Sequence, residues 1–266
     1  MSQFLTQIAD IRAVVSDLDG VAYRGELPIT DSVAAFRTWH RRGIPYAFVT
    51  NNATKSAEQF AAKLDRMGIP ATPAQVFNTV SGTAAVMRGR WPAGTRVFAI
   101  GEEPLLDALR QAGYHLGADD AEVVVLGFDA ELTYAKLRTA VRAALGGAAI
   151  IVTNPDVLAP TEDGYEPCVG VLAAAVSAAV PGAASIVVGK PEPLLIEQAL
   201  AYLGTAPADT VMIGDQIGTD IVAGQRAGLR SILIASDIPR DPGAVAVPDG
   251  IVASLLELID GPAAPA

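Results

Sequence analysis

Asp17-Leu18-Asp19-Gly20, entered from the run Ile11-Arg12-Ala13-Val14-Val15-Ser16, decides how the rest of the chain reads. The apolar run predicts a buried strand over 11–16, and the tetrapeptide predicts an acidic site at its end. Strand alternation would send two carboxylates spaced by two to one face. Gly20 permits a sharp turn that aims the Asp19 carbonyl into the same space. A nucleophile, a proton donor and a hard cation could share such a site. The same residues also suit a plain loop in which an aspartate caps a turn. The neighbouring segments have to decide.

Three further strand-like runs end in chemically capable residues: Phe48-Val49-Thr50-Asn51-Asn52, Val187-Val188-Gly189-Lys190-Pro191, and Val211-Met212-Ile213-Gly214-Asp215 continuing to Asp220. In parallel α/β sheets, ligands bind beyond the carboxyl ends of strands. Apolar periodicity and Gly/Pro punctuation predict strands near 45–50, 75–78, 96–100, 122–128, 148–153, 185–188, 210–214 and 231–235. Helices are expected over 31–42, 54–67, 81–90, 103–112, 133–145, 169–180, 193–203 and 220–227, and Pro239 and Pro242 predict a loop. Alternating strands and helices imply an α/β fold with parallel sheets. Thr50 and Lys190 are 140 positions apart (190 − 50), and the strand–helix series between them carries none of the four chemical segments. It reads as an inserted domain.

In this order the segments DLDG, T-N-N, G-K-P and G-D-x-x-x-T-D resemble the haloacid dehalogenase superfamily of phosphotransferases. The resemblance extends to its NagD-type, p-nitrophenylphosphatase-like branch. The segments that carry it are Thr50-Asn51-Asn52, Ile100-Gly101-Glu102-Glu103, Val123–Phe128 with Leu132-Thr133-Tyr134, Thr153-Asn154-Pro155-Asp156, Pro160-Thr161-Glu162-Asp163-Gly164 and Gly189-Lys190-Pro191-Glu192-Pro193. This likeness covers roughly residues 10–258. It departs at Pro167-Cys168-Val169-Gly170, where the branch usually reads P-G-x-G, a change that bears on substrate preference. The resemblance implies a Rossmann-like parallel-sheet core from residues 1–80 and 183–266, and an inserted α/β cap over 81–182. Glu162, Tyr165 and Cys168 are the cap positions expected to influence substrate ranking.

The resemblance also implies roles. Asp17 is the expected nucleophile, forming an aspartyl-phosphate that splits a hard displacement into two steps. Asp19 is the expected general acid and base. Burial and neighbouring carboxylates would raise its pKa, while magnesium would lower it. Lys190 would offset the repulsion between Asp17 and a phosphate dianion, which costs about 1 kcal/mol per unit-charge pair at 4 Å in water and about 4 at intermediate dielectric. Mg2+ is the expected cofactor, held by Asp17, the carbonyl of Asp19 and Asp215. Asp220 would orient waters or Lys190 from behind these ligands, or cap a helix. Thr50, Asn51 and Asn52 would bind phosphate oxygens.

Composition removes other classes. The 266 residues carry a net charge of −10 and no extended Lys/Arg cluster, so nucleic acid and anionic membranes are not expected partners. A bound cation can invert the local field, so a phosphate substrate remains compatible with this charge. Cys168 is the single cysteine, which fits a cytoplasmic location. Met1–Asp10 lacks the pattern of a signal peptide, and the apolar stretch Cys168–Val180 is too short to span a bilayer. The two histidines, His40 and His115, pair with no serine or acidic motif, which gives no support to a Ser-His-Asp hydrolase. The expected activity is magnesium-dependent hydrolysis of small phosphomonoesters such as sugar phosphates, nucleoside monophosphates or glycerol phosphate. The resemblance also allows a homo-oligomer through the cap. Rival readings are a phosphomutase, a metal-free dehalogenase and a catalytically silent regulatory protein. The full acidic set argues against the last two.

Overall fold

The computed structural model describes residues 11–117, 120–161, 164–235 and 246–259, with the side chains of 160 and 161 also left aside. The expectations for Met1–Asp10, for Glu162 and Asp163, and for the loop at Pro239 and Pro242 lie outside the described residues. Two compact units form. One comprises Met1–Thr50, Ala57–Phe77 and Lys190–Ala266, the other Asn51–Ser56 and Asn78–Gly189. The expected insert, 81–182, starts and ends inside the second unit.

The first unit opens with β1 (Ala13–Ser16), a short antiparallel hairpin of β2 (Tyr23–Arg24) and β3 (Leu27–Pro28), and α1 (Thr30–Arg42). Strand β4 (Tyr46–Thr50), α2 (Ala57–Arg66) and β5 (Val76–Asn78) follow. All residues of β1 and β4 are buried, the pattern of strands covered on both faces. Helix α1 buries Ala35, Phe36 and Trp39, and Phe36 packs edge-on against Trp39 and Tyr46 at centroid separations of 5.1 and 5.4 Å. Helix α2 starts three residues later than expected. Asn52 forms an Asx turn there, its Oδ1 accepting from the Thr54 amide at 2.8 Å and the Thr54 hydroxyl at 2.7 Å.

The second unit contains α3 (Thr79–Arg90), β6 (Arg96–Ile100), α4 (Glu103–Gln111), β7 (His115–Leu116), β8 (Val123–Leu126), α5 (Tyr134–Leu145) and β9 (Ala149–Val152). The antiparallel hairpin β10 (Leu158–Thr161) and β11 (Gly164–Pro167), then α6 (Val169–Ala179) and β12 (Ser185–Val187), complete it. Its five-stranded sheet runs β12-β9-β8-β6-β7, with every pairing parallel. Val124, Leu126, Ile150 and Val152 meet Ala140, Leu172 and Val176 in the core.

Returning to the first unit, the chain forms α7 (Leu194–Leu203), β13 (Thr210–Gly214), a π-helical turn at Ile217–Ile221, α8 (Val222–Arg226), β14 (Arg230–Ile234) and β15 (Gly250–Val252). The six-stranded sheet has the order β15-β14-β13-β1-β4-β5. Strand β1 is parallel to both β13 and β4, so the ends of three adjacent strands deliver Asp17, Thr50 and Asp215 to one edge. The short pieces β2, β3, β7, β10, β11 and β15 were not foreseeable from alternation, which needs more than two to four residues to register.

Candidate active site

Lys190 organises the charged residues of the first unit. Its ammonium donates to Asp17 Oδ1 at 2.6 Å, to Asp220 Oδ1 at 2.6 Å and to the Val49 carbonyl at 3.3 Å. A lysine has three N–H donors, and these three acceptors match them. All four members of the acidic and basic cluster are buried: Asp17 7%, Lys190 3%, Asp215 7% and Asp220 1% exposed. Charges removed from water must be paired or ligated.

Asp220 reaches this position through the π-helical turn. Its Oδ2 accepts from the amides of Asp215 and Gln216, each at 3.1 Å, while Oδ1 holds Lys190. A Cβ on Gly214 would collide with the Asp220 side chain, so glycine there makes the close approach possible. Gly20 is constrained similarly: its φ is 80°, and a Cβ would fall on the Asp215 carboxylate.

Asp215 is the exception in this network. Both of its carboxylate oxygens are buried without a hydrogen-bond partner among the described residues. Each of Asp17, Asp215 and Asp220 offers a carboxylate oxygen, and these oxygens lie within 4.8 Å of one another. An orphaned buried carboxylate beside two others, all oxygen donors, fits a hard cation. One ammonium cannot balance three carboxylates, and a divalent ion removes the remaining formal charge.

The electrostatics of the cation-free cluster follow from this imbalance. Burial pushes the Asp17 carboxyl well above the ordinary carboxylate range; Lys190 pulls it back, and Asp220 and Asp215 push it further up. Burial also pushes Asp215 up, to about 7, with Asp220 adding to the rise and Lys190 opposing it. For Lys190, burial favours the neutral amine, but the two carboxylates at 2.6 Å outweigh it and hold the ammonium protonated above its ordinary value.

The remaining residues singled out from sequence are placed differently. Strand β1 ends at Ser16, so alternation does not govern Asp17 and Asp19: Asp17 is buried and Asp19 exposed in the following turn. Asp19 still lies close enough to Asp215 to raise its pKa. Thr50 is buried at the end of β4. Asn51 and Asn52 group with the second unit. There the Asn51 amide nitrogen donates to both Asp156 oxygens at 3.1 and 3.0 Å, and Asn154 donates to the Asn51 carbonyl at 3.0 Å. The Asn51–Asp156 pair spans 105 positions and left no signal in the sequence. Burial pushes the Cys168 thiol above its ordinary value, and its Sγ sits 3.9 Å from Asn154 Oδ1, an unreactive setting.

Known proteins match this chain in sequence and in fold. A haloacid dehalogenase-like hydrolase family model matches residues 14–115, and an HAD-hydrolase-like model matches residues 187–258. The chain is 38% identical to the 5'-nucleotidase YutF of Bacillus subtilis over 84% of its own length and 87% of the relative's. The chain belongs to the haloacid dehalogenase-like hydrolases. Within that family it is 36% identical to the acid sugar phosphatase of Staphylococcus aureus, over 85% of this chain and 87% of that one. A thermostable NPPase from Geobacillus stearothermophilus aligns with a TM-score of 0.84 at 38% identity, covering 92% of this chain and 97% of its own. The p-nitrophenyl phosphatase from Archaeoglobus fulgidus aligns with a TM-score of 0.87 at 29% identity, covering 94% and 98%. This haloacid dehalogenase-like hydrolase is a phosphatase of the NagD-like branch. Phosphatases of this family generally use a metal ion, and Asp17, Asp215 and Asp220 form a buried carboxylate cluster that could hold one. No helix among the described residues is long and apolar enough to cross a membrane.

Proposed function

We propose that the chain hydrolyses small phosphomonoesters through an aspartyl-phosphate on Asp17, with Mg2+ as cofactor. One observation carries the reading: Lys190 bridges Asp17 and Asp220 while the buried oxygens of neighbouring Asp215 have no partner among the described residues. Asp17, Asp215 and the carbonyl of Asp19 would hold the ion, which when bound offsets phosphate charge and favours attack by an anion. Asp220 holds Lys190 and the start of the turn after β13. Thr50, Asn51 and Asn52 are the phosphate-binding segment that the family resemblance implies.

Chemistry then proceeds in two balanced steps. An Asp17 oxygen attacks phosphorus, the phosphorus–oxygen bond to the leaving group breaks, and Asp19 gives its proton to the departing oxygen. Asp19 next takes a proton from water, the hydroxide oxygen bonds to phosphorus, and the phosphorus–oxygen bond to Asp17 breaks. Lys190 stays protonated throughout and lowers the repulsion between Asp17 and phosphate.

Residues 1–80 and 183–266 would carry this chemistry, while 81–182 would select the substrate. Sugar phosphates and nucleoside monophosphates are favoured, because relatives are named for them. Acid quenching during turnover of p-nitrophenyl phosphate, followed by borohydride reduction, tests the nucleophile. Homoserine at position 17 is expected, and Asp17→Asn should remove turnover almost completely. Homoserine at position 19, or at neither position despite steady turnover, would refute the assignment.

A further inference from the structure

Lys63 lies on the apolar face of α2 with Phe60, Ala61 and Leu64, and its side chain is 6% exposed. An apolar residue would complete that face without the cost of burying an ammonium. The ammonium is spent on the β2–β3 hairpin. It sits 4.0 Å from the centroid of the Tyr23 ring, donates to the Gly25 carbonyl at 2.7 Å, and pairs with Glu26 Oε1 at 2.9 Å. Lys63 thus touches three of the six residues between Tyr23 and Pro28.

The hairpin needs such an anchor. It has two residue pairs, Tyr23 with Pro28 and Arg24 with Leu27, and residues 24–28 are all exposed. A two-stranded hairpin of this size has little stability of its own. Yet it is laced to the acidic loop. The Gly20 amide donates to the Tyr23 carbonyl at 2.8 Å, the Tyr23 amide to the Leu18 carbonyl at 3.3 Å, and Asp19 and Tyr23 form a β-bridge. Burial, then the carboxylates of Asp19, Asp17 and Glu26, push the Tyr23 phenol far above its ordinary value, which fits a ring lodged beside the acidic loop.

We propose that Lys63 is a positioning residue: by clamping Tyr23, Gly25 and Glu26 it fixes the exposed Asp19 where a proton can pass to the leaving oxygen. The inference rests on the reading of Asp19 as general acid. Asp19 is held by a turn and a two-pair hairpin, so displacement of the hairpin moves the acid while Asp17 and Lys190 stay in the buried cluster. General acid catalysis matters most for poor leaving groups.

The test compares kcat/KM for a primary alkyl phosphate and for p-nitrophenyl phosphate, whose leaving group needs little protonation. In Lys63→Met, the alkyl phosphate should lose about tenfold or more while p-nitrophenyl phosphate changes by less than about threefold. Lys63→Arg should fall between wild type and Lys63→Met, and the double variant with Asp19→Asn should be no worse than Asp19→Asn alone. Equal losses on both substrates, or losses that multiply in the double variant, would overturn the proposal. If Lys63→Met does not fold, as judged by circular dichroism, Lys63→Arg carries the same comparison. Asp19→Asn alone separates the two levels of inference. If it shows no dependence on leaving group, the general-acid reading fails. If it shows that dependence and Lys63→Met does not, only the role of Lys63 fails.

Discussion

Each of the two parallel sheets delivers a buried, unpartnered polar side chain just beyond a strand. In the first unit it is Asp215, after β13; in the second it is Thr153, after β9. Their settings differ. Asp215 lies among Asp17, Asp220 and Lys190, and the charged residues buried as whole residues among those described, Lys63 included, belong to the first unit. In the second unit the buried carboxylate of Asp129 is paired with the half-exposed Lys136 at 2.7 Å. Thr153 is followed by buried Asn154, and the buried polar residues of that unit are all neutral. The lesson is one of magnitude. A neutral hydroxyl left without a partner costs about 1–3 kcal/mol, which a fold can absorb. A carboxylate in the same condition costs far more, and it marks a place where a cation belongs.

Asp215→Asn tests the comparison most severely. It removes the charge of the proposed ligand and leaves a neutral side chain of nearly the same shape. Turnover at limiting magnesium should fall by about a hundredfold or more, more than the roughly 10–100-fold typical for outer supports of a metal site. The metal-free protein should nevertheless melt higher, because an uncompensated buried charge has gone. Thermal melts with and without magnesium check both signs. A variant destabilised in the metal-free state, with its magnesium response intact, would break the argument.

The pH response is expected to be the next largest effect. Asp215 is raised from 3.8 to about 7 without a cation. The folded state therefore holds a proton that the unfolded chain releases near 3.8, and folding stability from this group falls as pH rises from about 4 to about 7. Magnesium requires the ionised form, so ionisation of Asp215 alone should raise its affinity roughly tenfold per pH unit up to about 7, and ionisation of Asp17, also held above its ordinary range, should steepen the rise. Calorimetric titration across that range measures it, together with the accompanying proton release. A flat affinity would mean that Asp215 is already ionised, which would contradict its burial beside Asp220.

Much of this cluster was legible in the sequence, because Asp17 and Asp215 directly follow strand-like runs, Lys190 and Asp220 come a few residues after such runs, and the runs are long enough to show apolar periodicity. Asp17 and Asp215 follow the adjacent strands β1 and β13, Asp220 lies in the π-helical turn after β13, Lys190 follows β12 of the other sheet, and the four side chains converge. What sequence hid was support from short or distant pieces. Asp220 turns back on the Asp215 amide through a π-helical turn that a 3.6-residue period cannot anticipate. Asp156 reaches Asn51 across 105 positions. Lys63 had a faint signature, a charge three residues after Phe60 on the buried stripe of a helix. Its partner hairpin, with two residues per strand, gave none.

A smaller effect is expected from crowding the orphaned carboxylate. Gly20→Ala places a methyl group on Asp215 and forces alanine to a φ near 80°. Strain of this kind costs about 1–3 kcal/mol. Stability should drop by that order, and magnesium affinity should drop as well, since Asp215 must move. Wild-type magnesium affinity in this variant would show that Asp215 can shift freely, so that the cluster is less fixed than its burial implies.

Thr153→Val should have the smallest effect, and it tests the other half of the comparison. The side chain is fully buried, its hydroxyl has no partner, and valine nearly matches its shape. Removing an unsatisfied hydroxyl while keeping the volume is neutral or stabilising, here by up to about 1 kcal/mol. The backbone bonds at this position, from the Thr153 amide to the Leu126 carbonyl at 2.9 Å and from the Gly189 amide to the Thr153 carbonyl at 2.8 Å, do not involve the side chain and would persist. Turnover on p-nitrophenyl phosphate and on sugar phosphates should therefore stay within about twofold of wild type, with an unchanged or slightly raised melting temperature. A large loss of turnover with the fold intact would mean that the hydroxyl serves a bound molecule, as is proposed for the Asp215 carboxylate. The two orphans would then be alike in kind, and magnitude of charge alone would no longer separate the sheet proposed to carry the chemistry from the other.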